Sequence, residues 1–153
     1  MSDVTDKLGV LLWQLPASLP FDEGLVTAFL QALPPALRHA LEPRHPSWSS
    51  DAAAELLSTY RVAMVYSDSP ATWPAFERDT ADFRYVRLHG HSDLYASRYS
   101  RRSLDRWAER CRAWSDQGQD VHVYFDNDAR GHAPHDAARL LALLGTSAKE
   151  RIA

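Results

Sequence analysis

Tyr85–Gly90 reads YVRLHG, and this stretch decides how the rest of the chain is read. Phe83 to Leu88 is a short apolar run of strand length, and it ends abruptly in His89–Gly90. An arginine inside an apolar strand is costly unless it is paired or hydrogen-bonded. Arg87 and His89 lie two positions apart, so a strand puts them on one face. Gly90 allows a tight turn or a close ligand approach. A strand that delivers ionisable groups at its C-terminal end suggests a parallel α/β protein, where that end hosts the site.

The same pattern recurs on both sides. Upstream, Leu8 to Leu15 and His39 to Arg44 read as strands, the second ending at Glu42 because Pro43 interrupts pairing. Val62 to Tyr66 is a third strand and closes in Ser67–Asp68. Downstream, Asp120 to Phe125, DVHVYF, is a fifth. Helices are expected over Glu23–Leu33, Ala52–Tyr60, Arg102–Gln117 and Asp136–Leu144. Asp22 caps the first, with Leu25, Val26, Phe29, Leu30 and Leu33 repeating at helical spacing. Ser49, Ser50 or Asp51 caps the second, and Gly118 ends the third. Taking Gln14, Glu42, Asp68, His89 and Asp126 as strand-end markers, the spacings are 28, 26, 21 and 37 residues. These are βα-unit lengths, and short apolar strands separated by helices predict a parallel sheet with helical cover.

The 153 residues suit one domain, with 45% hydrophobic and 24% charged residues. No linker or repeat is visible, so 1–153 reads as a single domain with its core over 8–144 and frayed ends at 1–7 and 146–153. Seventeen Lys and Arg oppose twenty Asp and Glu, a formal charge of −3. This balance disfavours broad duplex binding but leaves room for a local basic pocket that takes an anion or a nucleic-acid end. Fifteen of the basic residues are arginines, which suit bidentate carboxylate or phosphate contacts. No apolar run reaches the roughly 20 residues of a membrane helix, and the start carries no secretory pattern. Cys111, the lone cysteine, sits in a helical repeat and reads as inert. A reducing, cytoplasmic setting is expected. Dinucleotide, phosphate-loop, zinc-protease and nucleophile-elbow motifs are all absent from the sequence.

The candidate chemistry lies at the strand ends. In LEPRHPSW, Glu42 can accept a proton or hold a cation, Arg44 can clamp an oxyanion, and His45 can move a proton near neutral pH. Trp48 follows as a ligand contact or a packing lid. Asp68 is a base, a ligand or a turn cap. Arg87 either binds an anion or braces the sheet through a neighbouring carboxylate, and His89 beside it is a proton shuttle. Tyr95 and Tyr99 offer hydroxyls to a sugar or phosphate, or pin their loop. Asp126, Asn127 and Asp128 supply oxygens for a divalent metal, or simply make a turn. Glu42, Asp68 and Asp126 are the metal candidates.

In their order, KLGVLLWQLPASLPFD, LEPRHPSW, VAMVYSD, YVRLHG, Tyr95 to Tyr99, VYFDND and GHAPHDAARLL resemble the C-terminal part of the DUF72, or YecE-like, family of TIM-barrel proteins. The resemblance runs through nearly all of residues 7–144. It implies a (β/α)8 barrel with its site at the C-terminal face. It also implies site positions at Glu42, Arg44, His45, Trp48, Asp68, Arg87, His89, Gly90, Tyr95, Tyr99 and Asn127. The family carries no established activity. Asp136 stands where many relatives have Asn, which reads as harmless at a helix start.

A whole barrel takes about 250 residues, and Leu8–Leu15 matches roughly the fourth barrel strand. The expected fold is therefore an incomplete (β/α)8 barrel of about five parallel strands with covering helices. An N-terminal barrel half or self-association is the expected partner. The implied function is metal- or acid/base-assisted chemistry on a small phosphorylated or sugar-like substrate. Its rivals are a non-catalytic anion- or nucleic-acid-end-binding module and a truncated, inactive fragment.

Overall fold

The computed structural model describes residues 8–70, 72–90 and 92–145. The frayed ends expected at 1–7 and 146–153 lie outside the described residues. Strands and helices alternate as anticipated, in an incomplete (β/α)8 arrangement of parallel strands that do not close into a barrel. The chain forms two compact units: one runs through Tyr66 and resumes over Trp73–Tyr85, and the other holds Ser67–Thr72 and the chain from Val86 onward.

In the first unit, β1 (Val10–Gln14), β2 (Arg38–Glu42) and β3 (Ala63–Met64) form a sheet in that order. β1 and β2 run parallel, with Gln14 opposite Glu42, and β2 and β3 run parallel, with Ala40 opposite Ala63. Side-chain alternation sorts the faces. Trp13, Leu41 and Met64 join the core built with α1 (Glu23–Ala32) and α2 (Asp51–Thr59), where Val26, Leu30, Ala53, Leu57 and Phe76 are buried. Ala40, Ala63, Val65, Phe83 and Tyr85 form a second buried cluster, against which Val10 and Leu12 pack. Burial on both faces explains why these strands read as apolar runs rather than alternating ones.

The caps follow the sequence. Asp22 Oδ1 accepts the Leu25 N–H at 2.8 Å, and of the three cap candidates for α2 it is Ser50 that accepts the Ala53 N–H. Two details differ from expectation. Leu25 is 57% exposed, so the stripe of α1 rests on Val26 and Leu30. A 3-10 turn over Pro46–Ser49, not foreseen, precedes α2.

The strand expected over Val62–Tyr66 is divided. β3 belongs to the first sheet, while β4 (Tyr66–Asp68) pairs in a second with β5 (Phe83–Leu88) and β6 (Asp120–Phe125), in the order β4-β5-β6. Val65 between them still donates to Leu41 O. β5 and β6 fall where the sequence put them.

In the second unit, α3 (Arg101–Asp116) and α4 (Ala133–Leu144) pack on each other and on β6. Leu104, Ala108, Cys111 and Trp114 form the buried stripe of α3. Cys111 is buried, and that burial pushes its thiol up to about 11, in keeping with an inert thiol. α4 begins three residues earlier than expected, because Pro134 occupies its first turn, where a missing N–H costs nothing. Among the described residues no helix is long and apolar enough to cross a membrane.

Candidate functional site

In the first unit, Glu42 ends β2 and its side chain is fully buried. Arg44 follows two residues later, with Nη2 3.8 Å from Glu42 Oε1. That is an ion pair but too long for a hydrogen bond. The guanidinium instead lies 3.9 Å over the ring of Trp73. Its Nε and Nη2 are buried and donate no hydrogen bond to the protein. His45 Nδ1 meets Ser47 Oγ at 2.8 Å and accepts the Ser47 N–H, so its ring caps the 3-10 turn. Trp48 is completely buried, donates to Leu19 O and meets Phe21 edge-on. It is a core residue.

In the second unit, the ends of three strands meet. His89 N donates to Asp68 O, and Asp126 N donates to Leu88 O. Asp126 pairs with the guanidinium of Arg87, and its Oδ2 lies 3.2 Å from His89 Nδ1. One carboxylate thus lies close to both Arg87 and His89, pairing with the guanidinium while His89 Nδ1 makes no hydrogen bond among the described residues. His89 is fully buried, with the Tyr95 ring edge-on at 5.5 Å.

The loop after β5 is tightly tied. Tyr95 takes a left-handed backbone (φ 62°), a conformation that costs a non-glycine residue energy. Its N–H donates to His89 O, and its own carbonyl accepts from Ala129 N–H. Ser97 Oγ accepts from the N–H groups of Ser92 and Asp93. Gly90 has φ 120°, and a Cβ there would lie 2.4 Å from Asp93 O. The close approach that needs a glycine is thus the loop's own backbone.

Tyr99 is buried and ties its loop, as the second of its two alternatives has it. Its Oη accepts from Gly90 N–H at 3.1 Å and bonds Asp68. Burial, reinforced by the negative charge of Asp68, pushes its pKa well above the ordinary tyrosine value.

Asn127 is buried and donates to Ser97 O and to Asp136 Oδ2. Asp136 is the residue that the sequence undervalued. Far from incidental at a helix start, it is fully buried in the first turns of α4. It accepts from Tyr99 N–H, Asn127 Nδ2 and Arg139 Nη1, each at 2.9 Å, with Arg98 Nε at 3.7 Å. Its sequence signal was faint: a single carboxylate in an apolar helical repeat. Among the described residues, no group of three or more His, Cys, Asp or Glu side chains is placed to hold a metal ion.

Three solved chains share this fold. A DUF72-family protein of Thermotoga maritima superposes with a TM-score of 0.82 at 24% identity, covering 92% of this chain and 59% of its own. Two structures of a DUF72-family protein of Enterococcus faecalis give TM-scores of 0.74 and 0.72 at 22% and 17% identity, each covering 89% of this chain. They are covered over 61% and 58% of their own lengths, so the chain spans about three fifths of these relatives. No curated protein matches the chain. The family model described as "Protein of unknown function DUF72" matches residues 1–153, and the chain belongs to the DUF72 family.

Proposed function

We propose that this chain carries acid/base chemistry on a small phosphorylated or sugar-like substrate. The observation that supports the reading is the Arg87–Asp126–His89 cluster. A carboxylate beside an imidazole favours its charged form and supports proton exchange. Arg87 is engaged with Asp126, so in this reading it orients the carboxylate. Tyr95 lies against His89 and is the residue that must move for substrate to reach the ring. Asp68, whose carbonyl accepts from His89 N–H, is the accessory base. The reading assigns no step to a metal.

The test is conversion of a panel of phosphorylated sugars, followed by mass spectrometry, for the wild type and for His89→Gln and Asp126→Asn. Turnover by the wild type, cut at least about a hundredfold in His89→Gln, is the expected result, since positioned general acid/base groups contribute roughly 10²–10⁴-fold. Turnover that persists in His89→Gln would overturn it. A non-catalytic anion-binding module is the second reading. It is favoured by the full burial of His89 and by the uncommitted donors of Arg44. Saturable binding without conversion would select it.

The ordered motifs further support placing this chain as the C-terminal five βα units of the family barrel, in a cytoplasmic protein. The partner is then an N-terminal barrel half or a second copy. Light scattering of the purified chain, alone and with an N-terminal half from a DUF72 relative, tests that assignment.

A further inference from the structure

We propose that Trp73 is the positioning residue of an oxyanion subsite whose ligating group is the Nε/Nη2 edge of Arg44. This rests on the anion-binding part of the function proposed above and adds the residue that builds the subsite. A guanidinium binds a carboxylate or phosphate side-on through Nε and the Nη on the same edge. Those are the two nitrogens of Arg44 that are buried and donate to nothing in the protein. Buried donors are rarely left unspent, and each needs a reason. Glu42 does not supply it, because its Oε1 is 3.8 Å from Nη2 and makes no hydrogen bond there.

What holds the guanidinium in place is the indole of Trp73, stacked at 3.9 Å. Stacking engages the face of the guanidinium and leaves its edge unspent. Trp73 stands in the Ser-Pro-Ala-Thr-Trp-Pro segment after β4, followed by Pro74, which stiffens the chain. The side chain of Arg44 is 13% exposed and its Nε and Nη2 are closed to solvent, so an anion reaches the edge once the cover over it moves aside, and the fork then formed is strengthened by the low local dielectric. The ligand is a single oxyanion group, a phosphate or a carboxylate, on a small molecule. The neighbouring Glu42 charge opposes it and sets a modest affinity.

Calorimetric titration with inorganic phosphate and, separately, with acetate tests the inference and distinguishes the two ligand sources. The variants are Arg44→Lys, Trp73→Phe, Trp73→Leu and Glu42→Gln, with thermal melts alongside. Saturable phosphate or acetate binding by the wild type is expected. Arg44→Lys should abolish it, because an ammonium cannot present the fork. Trp73→Leu should weaken it about tenfold, a cation–π contact being worth on the order of 0.5–2 kcal/mol. Trp73→Phe, which keeps an aromatic face, should stay within about threefold. Glu42→Gln should tighten it.

Rescue by Phe but not Leu at matched melting temperatures separates positioning from a merely structural role. Equal affinity in wild type and Trp73→Leu would overturn the role of Trp73 while leaving anion binding intact. Equal affinity in Arg44→Lys would overturn the subsite itself. Wild type that binds neither anion would overturn both this subsite and the anion-binding reading beneath it, leaving only the His89 chemistry.

Discussion

Replacing Asp136 by Ala should destabilise the protein strongly. The carboxylate is fully buried and takes three hydrogen bonds at 2.9 Å, from Tyr99 N–H, Asn127 Nδ2 and Arg139 Nη1. Truncation leaves the Tyr99 N–H and one of the two Asn127 amide N–H bonds buried without an acceptor, the other still meeting Ser97 O, at about 1–3 kcal/mol each. The Arg139 contact adds little, because that side chain is 32% exposed and water screens it. The sum is roughly 2–6 kcal/mol, which brackets the about 3–5 kcal/mol seen when one partner of a buried ion pair is removed. Since a domain is stable by only about 5–15 kcal/mol, the loss is large.

Asp136→Asn separates acceptor geometry from charge. Its one oxygen can still face Tyr99 N–H and Asn127 Nδ2, which both meet Oδ2, while its amide displaces the partly exposed Arg139 and Arg98 contacts to Oδ1. A cost of about 1–2 kcal/mol follows. Urea unfolding at pH 7, read by far-ultraviolet circular dichroism, checks both values. A loss below about 1 kcal/mol in Asp136→Ala would refute the reasoning, as would equal losses in Ala and Asn.

Gly90→Ala should cost about 2–4 kcal/mol, because its Cβ meets Asp93 O at 2.4 Å on a backbone of φ 120°; a melting temperature unchanged within a degree would contradict this. Asp22→Ala removes the cap of the Leu25 N–H and should cost about 1 kcal/mol, measured by the same urea titration. The Cys111 thiol ionises at about 11 in the fold against 9.0 ordinarily. Unfolding therefore releases its proton above pH 9, so this stabilisation is complete below about pH 9 and is lost as pH rises to about 11, on the order of 2–3 kcal/mol. Tyr99 acts in the same direction above pH 10. Cys111→Ala should flatten the fall between pH 9 and 11, and an unchanged slope would remove the assignment.

Periodicity located β5 and β6 to the residue, and the helices to within a residue or two, except at the start of α4. There Pro134 sits inside the first turn, where a proline is tolerated because its missing N–H would have no helical partner. Division of the third strand was not legible either, because Val65 is as apolar as its neighbours and only pairing distinguishes β3 from β4. The pairing of Arg87 with a carboxylate was anticipated as one alternative, from the cost of leaving a cation unpaired in an apolar strand. Which carboxylate answers it, 39 residues away, was not.

Local order along the chain thus determined the strand and helix sequence, the caps, and the presence of ionisable groups at strand ends, since these depend on neighbours within a few positions. Tertiary structure decided what those groups do. His45 became a cap, Trp48 and Tyr99 went into the interior, and Arg44 found an indole 29 residues further on. Asp136 became the centre of a buried network. Burial and pairing are properties of residues brought together from distant positions, and no short stretch of sequence encodes them.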